Sequence, residues 1–270
     1  METLQVALIS AKLVVSIGVL IYASWSDYKT REVRNRVWAY YAPIALVLSL
    51  TEILLFDVSM LPFMALSFGL TTAFALLLFY TGGFGGADSK ALMCIALALP
   101  FSTEAVFTPL LGASISPISH YIFPLTIFSN SVLFAAASGV YMILRNIIWH
   151  HHEGKKMFEG SLTKESIWKK LLVLITGYPM KVGVLVATWH VFPMEDVDDA
   201  TGDRKLVIVP NEDGRDGIIQ RLNKAVEEKR IGDYVWATPG LPMLIFVTLG
   251  LVVAVFFGDI VWLLVQAILG

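Results

Sequence analysis

A single cysteine, Cys94, stands in 270 residues. No internal disulfide framework can form, and no site needing several thiolates, such as a tetracysteine zinc centre, can be built. Charge is scarce as well: 16% of the residues are Asp, Glu, Lys or Arg, against about 25% in an ordinary soluble domain. No phosphate-binding glycine motif with its lysine and hydroxyl occurs, and no Ser/His/Asp grouping points to a serine hydrolase. Apolar residues are abundant instead, at 56% of the chain with a mean hydropathy of +0.70. They are gathered into runs of about 20 residues, long enough to cross about 30 Å of hydrocarbon.

These runs define an all-α polytopic membrane protein with six transmembrane helices and a small cytoplasmic α+β insert. The expected spans are Gln5–Ser24, Val37–Leu55, Met60–Tyr80, Ala91–Leu111 (interrupted by Pro100 and Glu104), Tyr121–Ile148 and Leu241–Leu269. The first has no small-residue cleavage site ahead of a polar sequence and reads as a retained span rather than a signal. Short loops rich in Lys and Arg stay on the cytoplasmic side. With Lys29, Arg31, Arg34 and Arg36 inside, all of the 20 Lys and Arg residues except Lys12 fall on that side, which puts both chain ends outside.

The chain divides into residues 1–149, carrying the first five helices, a cytoplasmic segment 150–238, and the last helix within 239–270. Inside the middle segment, Lys164–Thr176 suits an interfacial helix ended by Gly177. Val182–Phe192, Leu206–Pro210 and Tyr234–Thr238 look β-like, and Ile218, Ile219, Leu222, Ala225 and Val226 recur at helical spacing. The acids of Glu195–Asp199 read as a solvated loop. His150, His151 and His152 are consecutive and cannot all meet one ion; with Arg145, Lys155 and Lys156 they read as a basic patch facing anionic lipid. Lys12 and Asp259 lie within spans, where pairing with each other lowers their cost. Trp25, Trp38, Tyr40, Tyr41 and Trp149 fall near expected interfaces as aromatic anchors.

Two acids stand out. Asp27 sits where the first span leaves the membrane. Asp88 sits where the fourth enters it, after the turn Gly82-Gly83-Phe84-Gly85-Gly86-Ala87. Two complete spans separate them, so parity returns both to one interface. Taken singly, Asp27 reads equally well as a boundary acid beside Lys29 and Arg31, and Asp88 as a helix N-cap. Together they form a pair in which one carboxyl stays protonated while the other activates a water, the arrangement that hydrolyses an amide. Gly85 and Gly86 remove side-chain bulk where an extended substrate backbone could approach.

The run Ala23-Ser24-Trp25-Ser26-Asp27-Tyr28-Lys29-Thr30-Arg31-Glu32-Val33, continuing to Trp38, resembles the first-aspartate motif of the archaeal preflagellin (archaellin) peptidases, membrane aspartyl proteases related to bacterial type IV prepilin peptidases. Gly85-Gly86-Ala87-Asp88-Ser89-Lys90 resembles their Gly-x-Gly-Asp motif, and Val235–Pro242 their stretch leading into the last span. Ala87 stands where the family usually has glycine, and alanine does not readily take positive φ. The resemblance implies catalytic roles for Asp27 and Asp88, and a substrate-binding or loop-geometry role for Gly85, Gly86 and Ala87. The implied partners are the leader peptide of an archaellin- or pilin-like precursor, cut on the cytoplasmic side between a basic segment and a hydrophobic helix, and membrane lipid. No cofactor, metal or nucleic acid is expected. A proton-coupled transporter using the same two acids is the main alternative, and a presenilin-like protease cutting within the bilayer is another.

Overall fold

The computed structural model describes residues 2–111, 116–154, 156–198, 201–208, 214–239 and 242–269. It forms two compact units, Met1–Ala135 with Pro242–Gly270, and Ala136–Leu241.

The first unit is helical. Its helices are α1 (Glu2–Thr30), α2 (Asn35–Phe56), α3 (Leu61–Tyr80), α4 (Gly86–Ala98), α5 (Pro117–Tyr121) and the first part of α6 (Phe123–Glu153), within which the division falls, followed late in the chain by α10 (Met243–Phe256) and α11 (Ile260–Leu269). Among the described residues α1, α2, α3 and α6 are each long and apolar enough to cross a membrane, and α10 with α11 makes a fifth if the bent pair counts as one span. Six were expected. The difference lies in α4, which ends after 13 residues, about 20 Å, and gives way to irregular chain up to Leu111. Pro100 prevents the helix from continuing. The freed carbonyls are met by neighbouring hydroxyls: Ser49 of α2 donates to Leu97 O and Ala98 O at 2.7 and 3.1 Å, and Ser67 of α3 donates to Pro100 O at 3.1 Å. A short α4 is tolerated because it packs against α1, α2, α3 and α10, with Ala91, Leu92, Ile95 and Ala96 wholly buried.

The last expected span is broken as well. α10 and α11 meet at 66° across Phe257, Gly258 and Asp259, with Gly258 at φ +91°. Buried Asn130 satisfies both sides of the break: its Nδ2 donates to Gly258 O at 2.9 Å and its Oδ1 accepts from Ile260 N at 3.2 Å. Helices approach closely where residues are small, and Gly250 shows how closely. A Cβ there would collide with the Ser131 hydroxyl and the Ile127 carbonyl of α6, whereas a Cβ on Gly18 would meet nothing. Gly250→Ala is therefore expected to cost about 1–3 kcal/mol through overpacking, and Gly18→Ala almost nothing. Thermal unfolding of the two purified variants in detergent checks this.

Lys12 is indeed paired within the membrane, but with Glu52 of α2 and not with Asp259. α1 and α2 run in opposite directions, and these two residues lie at matching distances from the connection between the helices. Asp259 instead caps α11, accepting from Trp262 N at 3.0 Å and from the Ser116 hydroxyl at 2.8 Å. Trp38 and Tyr41, expected as interface anchors, belong to the core; the Tyr41 hydroxyl donates to Ser16 Oγ at 2.7 Å.

The second unit carries the rest of α6, α7 (Ile167–Thr176), α8 (Val182–Ala187), α9 (Arg215–Glu227) and five strands, β1 (Tyr178–Lys181), β2 (Phe192–Pro193), β3 (Glu195–Val197), β4 (Arg204–Leu206) and β5 (Tyr234–Thr238). The antiparallel order is β1-β5-β2, with Tyr178 opposite Ala237 and Phe192 opposite Thr238; β3 pairs separately with β4. α7 ends at Gly177 as the sequence suggested, and β5 and α9 fall where the patterns placed them. Val182–Phe192 does not: Val182, Val184 and Val186 mimic strand alternation, but tertiary packing selects α8, which buries Val182 and Leu185 one turn apart.

The acids of the supposed solvated loop are also placed differently. Glu195 is fully buried against Arg204, and Asp196 accepts from Arg221 at 2.9 Å; Asp199 lies outside the described residues, as do Lys155 of the basic patch and Val209 and Pro210 of the second β-like run. Burial acts to raise the Asp196 carboxyl, but Arg221, the Val197 N–H and Lys205 together hold it below its ordinary range.

Candidate active site

The site is built from two helix ends of the first unit. Asp27 lies on the last turns of α1, on the same face as Leu20 and Ala23, which are wholly buried; Asp27 itself is half-buried. The chain leaving α1 is tied back onto it. Arg31 N donates to Asp27 O at 2.9 Å, the Ser26 hydroxyl donates to Glu32 O at 2.7 Å, and the Thr30 hydroxyl donates to Ser26 O at 2.8 Å and Glu32 O at 3.0 Å. Arg31 completes this turn at φ +55°, a left-handed conformation that costs a branched or long side chain energy.

Asp88 occupies the third position of α4. There its Oδ2 accepts the Gly85 N–H at 3.0 Å, which completes half of a capping box. The turn before it wraps the end of α3, with Gly83 N and Phe84 N both donating to Leu78 O at 2.8 and 3.1 Å. Phe84 is buried beside Leu92, and the Ser89 hydroxyl bonds Ala75 O and Gly85 O. These contacts fix the direction in which Asp88 leaves its helix.

The glycines serve different purposes. The positive φ of the turn falls at Gly82, at +77°, while Gly85 has φ −73° and Ala87 lies inside α4. The alanine in the third motif position therefore requires no left-handed backbone and carries no strain. Gly85 is constrained by space, since a Cβ there would stand 3.1 Å from Asp88 Oδ2. At Gly86 a Cβ would make an ordinary 3.7 Å contact with Phe79.

The two acid-bearing turns share one neighbourhood. Ala23, Trp38, Ala91 and partly buried Ala87 belong to one core cluster. The sequence did not signal Asn35 as part of this arrangement. Its Oδ1 accepts Lys90 Nζ at 2.7 Å, joining the first turn of α2 to the first turns of α4. A polar residue opening a helix is too common to mark such a link in advance. Among the described residues no group of three His, Cys, Asp or Glu side chains is placed to hold a metal ion.

A half-buried acid thus lies near the end of one long apolar helix, and a second acid opens a short, enclosed helix packed against it. Comparison with known proteins points to peptidases. The model of the type IV leader peptidase family matches residues 14–143, which include both acids. A model described as the archaeal peptidase A24 C-terminus, type II, matches residues 169–260. The chain is thus similar to type IV leader peptidases over residues 14–143 and to archaeal A24 peptidases over residues 169–260, and its long apolar helices suit a membrane protein. Over most of its length it is similar to the preflagellin peptidase of Methanococcus voltae, at 26% identity across 90% of this chain and 93% of that protein. It is also similar to the preflagellin peptidases of Methanococcus maripaludis, at 25% identity across 89% and 92%, and Methanocaldococcus jannaschii, at 24% identity across 90% and 92%.

Proposed function

We propose that the chain is an aspartic endopeptidase that removes the leader peptide from preflagellin or pilin-like precursors at the cytoplasmic face of the membrane, with Asp27 and Asp88 as its catalytic residues. The observation that supports this reading is that the end of α1 bearing Asp27 and the start of α4 bearing Asp88 pack into one core cluster through Ala23, Ala87 and Ala91. The crossings of α2, about 33 Å, and α3, about 30 Å, supply the even count that returns the chain to the same face. The cytoplasmic assignment and the outward-facing chain ends rest on the distribution of Lys and Arg.

Two carboxyls sharing a site retain a proton between them. The ionised one takes a proton from a shared water as that water attacks the scissile carbonyl carbon, giving a tetrahedral intermediate. The protonated one gives its proton to the amide nitrogen as the carbon–nitrogen bond breaks, which leaves a carboxyl on the leader and an amine on the mature chain. A protein nucleophile and a covalent intermediate are not needed. The pair acts as a unit, so base and acid are roles of the pair rather than of one named residue. Gly85 leaves the approach to Asp88 free of side-chain bulk.

Purified protein incubated with a leader-bearing preflagellin is expected to release one new N-terminus at the junction of the basic leader and the hydrophobic segment, read by N-terminal sequencing. An intact precursor, or cleavage within the hydrophobic segment, contradicts the proposal.

A further inference from the structure

On the outer surface of the first unit, α1 and α10 flank an open, shallow groove of about 400 Å³ walled by Ile21, Trp25 and Tyr28 on one side and Ile245 and Leu249 on the other. The α1 residues follow a helical stripe that leaves the core-facing side of Asp27 free. The polar groups at the groove's floor satisfy one another: Ser24 Oγ and Thr248 Oγ1 are 2.7 Å apart, and Thr248 Oγ1 also donates to Leu244 O at 2.8 Å. The slot therefore offers a surface for hydrocarbon.

Its end is charged. Lys29 Nζ stands 4.2 Å from the centre of the Trp25 ring, and Lys29 to Arg36 contains four cations and one acid. An apolar slot that ends at an ammonium held on an indole complements an amphiphile with a long apolar tail and an anionic head. A peptide whose basic segment adjoins its apolar helix would bring like charge to Lys29. We propose that this groove binds an anionic phospholipid, with an acyl chain between α1 and α10 and the head phosphate at Lys29. Trp25 and Tyr28 flank Asp27 in sequence, so the bound lipid packs against the turn that carries the acid.

The test requires no peptidase activity, so its outcome is independent of the proposed function. The full chain is reconstituted in phosphatidylcholine vesicles containing equal mole fractions of brominated phosphatidylglycerol or brominated phosphatidylcholine. Tryptophan quenching is read for the wild type and for Trp25→Phe, the difference giving the share of Trp25. That share is expected to be quenched by the anionic lipid with about fivefold preference, roughly what one lysine contributes near an anionic head group. Lys29→Gln should remove the preference while leaving quenching by phosphatidylcholine, and Lys29→Arg should keep it. Equal quenching by both lipids in the wild type overturns the proposal, leaving only bulk lipid contact. A preference that survives Lys29→Gln overturns the assigned head-group site. Absence of quenching by either lipid means that protein covers the groove, which also overturns it. Native mass spectrometry of the chain in detergent gives a second readout free of Trp25→Phe: the wild type should retain phosphatidylglycerol that Lys29→Gln loses, and equal retention counts against the site.

Discussion

Asp27→Asn and Asp88→Asn are each expected to abolish detectable cleavage of a leader-bearing precursor, with a fall in rate of about 10²–10⁴ from the loss of acid–base catalysis alone. The amide matches the carboxyl in shape but can neither take the proton of the attacking water nor deliver one to the leaving nitrogen. Folding should survive both changes. In Asp88→Asn the side-chain oxygen still accepts the Gly85 N–H that opens α4. In Asp27→Asn the backbone bonds that close the end of α1 run through Asp27 O, Ser26 and Thr30, not through the carboxyl. The double variant should be no worse than either single one, because the two groups serve one step. Product mass and N-terminal sequence measure cleavage, and elution as a single species from size exclusion in detergent confirms that each variant is folded. Full activity in either single variant removes that residue from the mechanism.

The features that make this test possible were legible in the sequence for a physical reason. Lipid imposes length and apolarity on any helix exposed to it, so α1, α2, α3 and α6 announced themselves, and counting crossings between Asp27 and Asp88 needed no exact boundaries. Where protein replaces lipid as the surrounding medium, that constraint lapses. α4 is wrapped by other helices, so 13 residues suffice and the hydropathy of Ala91–Leu111 overstates it. The break between α10 and α11 is stabilised by Asn130, more than a hundred residues away, and the local run of apolar residues conceals it. The same holds for ion pairs. Lys12 was recognisable as a charge needing a partner, but the sequence pointed to Asp259, and the antiparallel packing of α1 and α2 supplies Glu52 instead. Ala87 shows the opposite case: a departure from the family pattern that seemed to threaten the turn proved harmless, because the turn takes its left-handed residue at Gly82.

In the second unit, charge long hidden in an acidic run makes the strongest stability prediction. Glu195 is 0% exposed, and its partners are all within reach: Oε1 accepts the Trp236 N–H of β5 at 2.6 Å, while Oε2 accepts Arg204 Nε at 2.8 Å and Nη2 at 2.6 Å. The backbone of Arg204 is held in turn, its N–H donating to Ser161 Oγ at 2.6 Å. Burial pushes the Glu195 carboxyl above its ordinary range, and the guanidinium of Arg204 opposes that push most strongly, followed by the Trp236 N–H. Arg204→Met leaves the carboxyl in the same place with its main opposing charge gone, and breaking a buried pair from one side costs about 3–5 kcal/mol. The sign of its pH dependence follows. A carboxyl whose folded pKa exceeds its unfolded one binds more protons when folded, so its contribution to stability declines as pH rises through the interval between the two values. Without Arg204 that interval widens. The variant should therefore fall short of wild type by less at about pH 5 than at about pH 7.5, because lowering the pH favours the protonated carboxyl and raising it makes ionisation in the folded unit costly. Glu195→Gln should lose less at neutral pH, because Arg204 is 13% exposed and its charge can still reach water. Hydrogen exchange over β3 to β5 in the full chain, corrected for the intrinsic pH dependence of exchange, measures both variants. A loss of protection in Arg204→Met that is the same at the two pH values would mean that Arg204 braces the strands by packing and hydrogen bonding, and that the charge on Glu195 is not what it compensates.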